Sequence, residues 1–209
     1  MSMARTRIKI CGLTRRPDLL AAIELGADAV GLVFYPPSPR YVDIDQAREL
    51  ARAAPPFVSR VGLFVNADPA DVHATLASVS LDLLQFHGDE DAAYCAQFGR
   101  PYVKAARMRP GLDLVEYAAS FSSARAILLD AYVDAYGGGG QTFDWSLIPR
   151  ELPLPIILSG GLTAANVVDA VRRVRPAAVD VSSGVESSPG VKDAAKIAEF
   201  IAGVRRADV

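Results

Sequence analysis

The sequence predicts an α/β protein folded as a (β/α)₈ TIM barrel, one domain over residues 1–209 with a flexible stretch at 1–6. Three observations carry that expectation. Short apolar runs alternate with helical stretches along the whole chain, and alternating β and α gives a parallel sheet with right-handed crossovers. About eight such units can be traced, the number that closes a barrel; an open doubly wound sheet is the alternative. The third observation is the stretch from Pro155 to Glu186. It reads Pro-Ile-Ile-Leu-Ser-Gly-Gly-Leu, a helical run, then Ala-Ala-Val-Asp-Val-Ser-Ser-Gly-Val-Glu. Apolar runs of that length, punctuated by glycine, are what buried parallel strands look like.

The elements follow in order. Residues 7–12 read as a first strand, with a helix over 15–25 closed by Gly26, and 28–34 as the second strand. Pro36, Pro37 and Pro39 force a loop, because proline fixes φ and lacks an N–H. A helix over 45–54 and a strand over 58–65 come next. Asp68-Pro69 then caps a helix, with proline in the first turn where no donor is lost. Residues 81–86, 101–107 and 125–130 read as strands four to six, with helices over 90–98 and 112–121 between them. A loop carrying Gly137 to Gly140 precedes a short helix opened by Asp144-Trp145. A helix over 164–174 joins strands seven and eight, and 191–205 closes the chain as a helix. Gly-Ala-Asp-Ala-Val-Gly, Ser-Leu-Asp-Leu-Leu-Gln and Ala-Ala-Val-Asp-Val-Ser repeat an Asp near a strand start, an echo that fits repeated units.

Bulk properties narrow the function. Apolar residues make up 51% and charged ones 22%, a globular balance rather than a disordered one. A net charge of −2 argues against broad binding to nucleic acid or anionic membrane. No signal-peptide core or membrane-length apolar run is present, so a cytoplasmic protein is expected. Two cysteines exclude a disulfide framework and four-cysteine zinc sites, and two histidines make a multi-histidine metal site unexpected. The surface helices show no excess apolar stripe, so a monomer is expected.

In a barrel the chemistry sits at the C-terminal strand ends. Those ends carry Cys11, Arg40 in the second loop, Asn66, His87, Arg107 and Asp130. The seventh and eighth carry Gly160, Gly161, Ser182, Ser183 and Gly184. Small residues there let backbone amides face outward, and a helix following at once would add its dipole to an anion site. The bland reading of these glycines is a pair of tight turns; two in register on neighbouring strands point to phosphate. Cys11 is either an inert buried hydrophobe or a thiolate favoured by its place at the mouth. Asp130 ends an apolar strand with no cap motif beside it, which suits a proton donor better than a cap. Arg40, on a proline-stiffened loop, can be a solvated charge or a two-pronged carboxylate clamp. His87 is either a backbone-bonded strand end or a site residue. His73 reads as surface and Cys95 as packing.

Taken together, Lys9-Ile10-Cys11-Gly12-Leu13-Thr14, Pro39-Arg40-Tyr41-Val42, Gln85-Phe86-His87-Gly88-Asp89-Glu90, Leu128-Leu129-Asp130, Phe143-Asp144-Trp145, Leu158-Ser159-Gly160-Gly161-Leu162, Val179-Asp180-Val181-Ser182-Ser183-Gly184-Val185-Glu186 and Ser188-Pro189-Gly190-Val191-Lys192-Asp193 resemble the phosphoribosylanthranilate isomerases of tryptophan biosynthesis. Each motif is weak alone; the ordered set spans nearly the whole chain. The resemblance implies a (β/α)₈ barrel performing an Amadori rearrangement of N-(5′-phosphoribosyl)anthranilate, a small phosphorylated substrate, with no cofactor and no metal. It implies Cys11 as general base, Asp130 as general acid and Arg40 on the anthranilate carboxylate. It also implies phosphate binding by Gly160, Gly161, Ser182, Ser183 and Gly184. His87 and Asp180 match motif positions and are expected at the substrate without an assigned role. Two departures stand out: Gly139 where the family usually has Thr, which bears on how that loop closes, and Phe86 for a usual Leu.

Rival readings remain at this point. A histidine-pathway isomerase is similar in reaction type but carries an aspartate where this chain has Cys11. A metal-dependent epimerase needs more histidines. A non-catalytic phosphate-binding protein on the same fold would bind without turnover.

Overall fold

Eight parallel strands close on themselves in the computed structural model, which describes residues 5–131 and 142–208. They are β1 (Arg7–Cys11), β2 (Ala29–Val33), β3 (Ser59–Phe64), β4 (Leu83–Phe86), β5 (Tyr102–Met108), β6 (Ile127–Ala131), β7 (Ile156–Leu158) and β8 (Ala178–Val181). Closure is made by β1, which lies parallel to both β2 and β8, with Lys9 opposite Ala29 on one side and Asp180 on the other. The barrel alternative is therefore the observed one, and the open sheet is not.

Helices α1 (Arg16–Glu24), α2 (Ile44–Ala53), α3 (Pro69–Ser78), α4 (Ala92–Ala96), α5 (Leu114–Ser120), α6 (Val167–Val174) and α7 (Ala194–Ala207) follow strands one to five, seven and eight. Short polar side chains set their starts. Asp43, Asp68, Asp91, Asp113 and Asp193 each accept a hydrogen bond from an amide of the first turn of α2, α3, α4, α5 and α7. That satisfies donors the helix itself leaves unpaired. Asp144 does the same for a single 3₁₀ turn at Trp145–Leu147, where a short helix was expected.

Two elements differ from expectation. Helix α6 begins at Val167 rather than 164, and Asn166 spans the gap: its Oδ1 accepts from the Thr163 amide (2.8 Å) and its Nδ2 donates to the Gly161 carbonyl (2.9 Å). The closing helix begins at Ala194, because residues 186–192 form a hairpin instead. Its strands, β9 (Glu186–Ser188) and β10 (Val191–Lys192), are antiparallel about a Pro189-Gly190 turn with Gly190 at φ +80°. A proline followed by a left-handed glycine is turn chemistry, and it outweighs the helical pattern that follows. Of the stretch 1–6 expected to be flexible, Arg5 and Thr6 are the described residues, and both are bonded to the barrel. Thr6 is buried and bonds Asp208 through both its amide and its hydroxyl, and Arg5 pairs with Asp28.

The echoed aspartates split by role. Asp28 accepts from the Ile8 amide and Asp82 from the Arg60 amide, each at 2.9 Å, so both pin the first residues of the preceding strand. Asp180 lies within β8 and belongs to the mouth.

The main apolar core lies between barrel and helices. Phe86 points outward into it, stacked on Phe98 at 5.6 Å and edge-on to Tyr94 and Tyr102. The bulkier residue at this position is thus a packing variation. Side chains alternate across a strand, so Gln85 and His87 point the other way, into the barrel. A smaller cluster of Cys11, Val33, Leu63 and Val65 forms a separate apolar patch on β1 to β3.

Candidate active site

Cys11 is the last residue of β1 and is 4% exposed. Its sulfur has room because position 31 on the neighbouring strand is glycine; a Cβ there would stand 2.7 Å from Sγ. Two residues earlier on the same face, the buried Lys9 ammonium bonds Asp180 at 2.8 Å and also reaches the thiol. Burial pushes the Cys11 thiol above its ordinary value. The Lys9 charge opposes that rise, Asp180 adds to it, and Lys192 opposes it again. Of the two readings open at Cys11, buried thiol or favoured thiolate, the shift follows the burial, which outweighs the neighbouring cations. For Lys9, burial works against the charge, but Asp180 and Cys11 overcome it and its pKa is raised.

Asp130 lies near the end of β6, with both carboxylate oxygens engaged. Oδ1 accepts from the Ala131 amide (2.9 Å), and Oδ2 faces His87 Nε2 (2.9 Å). His87 thus serves a site carboxylate rather than bonding backbone, and Gln85 Nε2 lies 3.0 Å from its other ring nitrogen.

Arg40 is the clamp in form, yet it already grips a carboxylate. Its Nε and Nη2 meet Glu186 Oε1 and Oε2 at 2.8 and 2.7 Å, and Glu186 also takes Lys192 Nζ at 2.8 Å. Burial alone would raise the Glu186 pKa; the bond from Arg40 and the charge of Lys192 overcome it and hold the carboxyl below the ordinary range. Lys192 is lowered by burial, with Glu186 resisting. Lys192 continues to the Ser182 carbonyl and hydroxyl (3.1 and 3.3 Å), and that hydroxyl donates to the Cys11 carbonyl at 3.1 Å. One polar chain therefore joins Arg40, the β8 turn and β1. Gly12, at φ +73°, lets the Arg40 stem cross the chain, since a Cβ would fall 2.5 Å from Arg40 Cδ.

The two glycine turns meet. A Cβ on Gly184 would lie 1.9 Å from the Leu162 carbonyl oxygen, so the β7 and β8 turns touch backbone to backbone. Gly160 and Gly161 have φ of +80° and +60°, and Gly160 abuts Asp130, whose Oδ1 would be 3.1 Å from an added Cβ. No α-helix follows either turn at once. A 3₁₀ turn spans Ser183–Val185 and α6 starts beyond Asn166, so an anion here would rest on turn amides rather than a helix dipole.

The structure thus gathers Cys11, Arg40, Asp180, Ser182, Ser183 and Gly184 along one side of the mouth. His87, Asp130, Gly160 and Gly161 lie along the other. The glycine run 137–140, with Gly139, lies outside the described residues. Asn66 instead braces the fourth loop, its Oδ1 accepting from the Asp89 amide, and Arg107 pairs with Asp89 at the surface. Cys95 is buried packing and His73 lies exposed on α3. Sequence reasoning missed Lys9, Gln85, Glu186 and Lys192 as site residues. Their one available signal was being polar within otherwise apolar strands and a hairpin.

A parallel eight-stranded barrel with an acid, a thiol, a guanidinium and paired glycine turns at one mouth defines a barrel enzyme of the phosphosugar type. The family model described as N-(5′-phosphoribosyl)anthranilate isomerase matches residues 8–203. A protein of that name from Dechloromonas aromatica is 65% identical over 204 residues, covering 98% of each chain. The solved phosphoribosyl anthranilate isomerase of Thermotoga maritima is 44% identical with a TM-score of 0.89, covering 96% of this chain and 99% of its own. Another solved phosphoribosyl anthranilate isomerase holds reduced 1-(o-carboxyphenylamino)-1-deoxyribulose 5-phosphate; it is 41% identical with a TM-score of 0.86, covering 96% and 99%. The chain belongs to the N-(5′-phosphoribosyl)anthranilate isomerase family.

Proposed function

We propose that this chain isomerises N-(5′-phosphoribosyl)anthranilate to 1-(2-carboxyphenylamino)-1-deoxyribulose 5-phosphate in tryptophan biosynthesis, with Asp130 as acid and Cys11 as base. The observation that carries the reading is the pair of unlike groups at one mouth, each with its own polar partner: Cys11 beside the Lys9 ammonium, Asp130 beside the His87 ring. Family membership supports the substrate.

Asp130 gives its proton to the furanose ring oxygen. The C1–O bond breaks, and the anilino nitrogen's lone pair forms an iminium. The Cys11 thiolate then removes the proton from C2; those electrons form the enolamine and neutralise the nitrogen. Return of a proton to C1 and loss of the O2 proton give the ketone. An acid and a base in unlike surroundings suit two opposite transfers on one substrate. Because burial raises the Cys11 thiol, the thiolate is the minority form at neutral pH, and Lys9 is the cation that opposes the rise.

Holding the phosphate on the Gly160-Gly161 and Ser182 to Gly184 turns orients the sugar between acid and base. Arg40 takes the anthranilate carboxylate with the donors Glu186 leaves open, since two of its three nitrogens bond Glu186. The partner is this small phosphorylated molecule, in the cytoplasm.

The test generates phosphoribosylanthranilate in situ, adds purified protein with a metal chelator, and follows the loss of substrate fluorescence. Rapid loss that disappears in Cys11→Ala and in Asp130→Asn is expected, each by roughly 10²-fold or more. Folded wild-type protein without turnover overturns the reading.

A further inference from the structure

Gln85 is fully buried inside the barrel, where an amide must earn its place by hydrogen bonding. Its Nε2 lies 3.0 Å from His87 Nδ1, yet its Oε1 has no partner among the described residues. An amide nitrogen only donates, so His87 Nδ1 is the acceptor. The imidazole proton then sits on Nε2, which faces Asp130 Oδ2 at 2.9 Å. Turning the amide over would place its oxygen at Nδ1 and leave a buried NH₂ unpaired in place of the carbonyl. Orphaned buried donors are rarer than under-satisfied carbonyls, so the orientation with Nε2 toward the ring is favoured.

We propose that Gln85 is a positioning residue that selects the Nε2–H tautomer of His87, so that His87 presents a donor to Asp130 as its carboxylate charge develops. The inference rests on Asp130 acting as the acid. As Asp130 releases its proton, negative charge grows on its oxygens, and two donors await it: His87 Nε2–H and the Ala131 amide. A fixed donor aimed at developing charge lowers the barrier. The opposite tautomer would present a lone pair to the same oxygen and oppose the transfer. A histidine held in the wrong tautomer by an otherwise isosteric change costs a hydrolase triad most of its rate, which is the closest general precedent.

The experiment has two arms. With only two histidines in the chain, ¹⁵N NMR of wild type against His73→Gln assigns the His87 ring directly. The expected signature is a protonated Nε2 and an unprotonated Nδ1. A protonated Nδ1 with a bare Nε2 overturns the proposal whether or not the protein turns over phosphoribosylanthranilate, so its failure is separable from failure of the functional reading. The second arm is Gln85→Glu, which keeps the shape but sets an acceptor against Nδ1. In the pH range where the ¹⁵N spectra show its His87 ring neutral, it is expected to carry the ring proton on Nδ1 and to cut kcat on the order of 10²-fold with KM within about threefold. Gln85→Leu, which leaves the tautomer to Asp130, should lose less than about tenfold. Equal losses in the two variants, or an unchanged kcat in Gln85→Glu, would overturn it.

Discussion

Arg40 and Glu186, 146 residues apart in sequence, meet in a two-pronged ion pair with contacts of 2.8 and 2.7 Å. The guanidinium is thereby held in one orientation before any ligand arrives. Glu186 has a second cation, Lys192, at 2.8 Å, so losing Arg40 does not strand the buried carboxylate. Arg40→Met is therefore expected to fold, with a urea midpoint close to wild type. It should raise KM at least tenfold with kcat within a few-fold, the pattern of lost uniform binding. Arg40→Lys keeps the charge without the fork and should recover only part. Steady-state kinetics on the three proteins decide it, and an unchanged KM refutes the clamp.

The Cys11 thiol is pushed up by burial, so the rising limb of kcat/KM against pH should lie above the ordinary thiol range. That profile reports the free enzyme, the state described here. Lys9 opposes the shift, so Lys9→Met should move the limb to still higher pH and lower the rate at neutral pH. Ultraviolet titration of the thiolate supplies an independent reading. A limb at or below the ordinary thiol value would mean the base is not Cys11 in this environment.

The fold was legible because its signals are local. Aspartate caps, apolar runs and turn glycines each act within a few residues, and the barrel is their sum. Cys11, Asp130 and Arg40 could also be found at strand ends or in the following loop, where barrel chemistry lies. What the chain does not write locally is who pairs with whom. Lys9 reads as one polar residue in a strand until closure sets it opposite Asp180. Glu186 reads as the end of the eighth strand's turn and Lys192 as the first turn of the closing helix, since the hairpin that brings them to Arg40 depends on a single Pro-Gly turn. At Cys11 burial and activation both stood open from the sequence, and only the surrounding packing sets the direction of the shift.

Lys104 and Glu90 form a pair whose side chains are 1% and 2% exposed, with Nζ 3.1 Å from Oε2 and 2.6 Å from the Gly88 carbonyl. Glu90 meanwhile accepts from the Asn66 and Gly88 amides, so the pair knits the third and fourth loops behind His87. Lys104→Met leaves a buried carboxylate without its cation. Such losses cost about 3–5 kcal/mol, and the two amides should keep this one near the lower end. Adding Glu90→Gln should restore part of it. Urea unfolding of the single and double variants checks the coupling, and simple additivity would argue against it.

Glu186 is held below the ordinary glutamate range in the folded protein, against an unshifted value in the unfolded chain. Its stabilising contribution is therefore complete above the ordinary value. As pH falls below that value, the unfolded state takes up the proton first, and stability drops until the folded-state pKa is passed. Urea midpoints between about pH 3 and pH 6 should fall with acid in wild type, and the slope should be shallower in Glu186→Gln. An identical slope would show that Glu186 takes no part in acid sensitivity.

Gly184 sits where the two turns touch, and a methyl group there would stand 1.9 Å from the Leu162 carbonyl oxygen. Backbone faces backbone, so neither side has a flexible end to yield. Gly184→Ala should push the β7 and β8 turns apart and disturb any phosphate held between them. The expected outcome is a KM raised about tenfold or more, with weakened inhibition by inorganic phosphate. Gly99→Ala is the control: an added Cβ there meets nothing within 4 Å, though φ is +61°. That variant should cost about 1–2 kcal/mol of stability through left-handed strain alone and leave KM unchanged. If Gly184→Ala behaves like Gly99→Ala, losing stability but not phosphate affinity, the turns are a packing contact and the phosphate lies elsewhere.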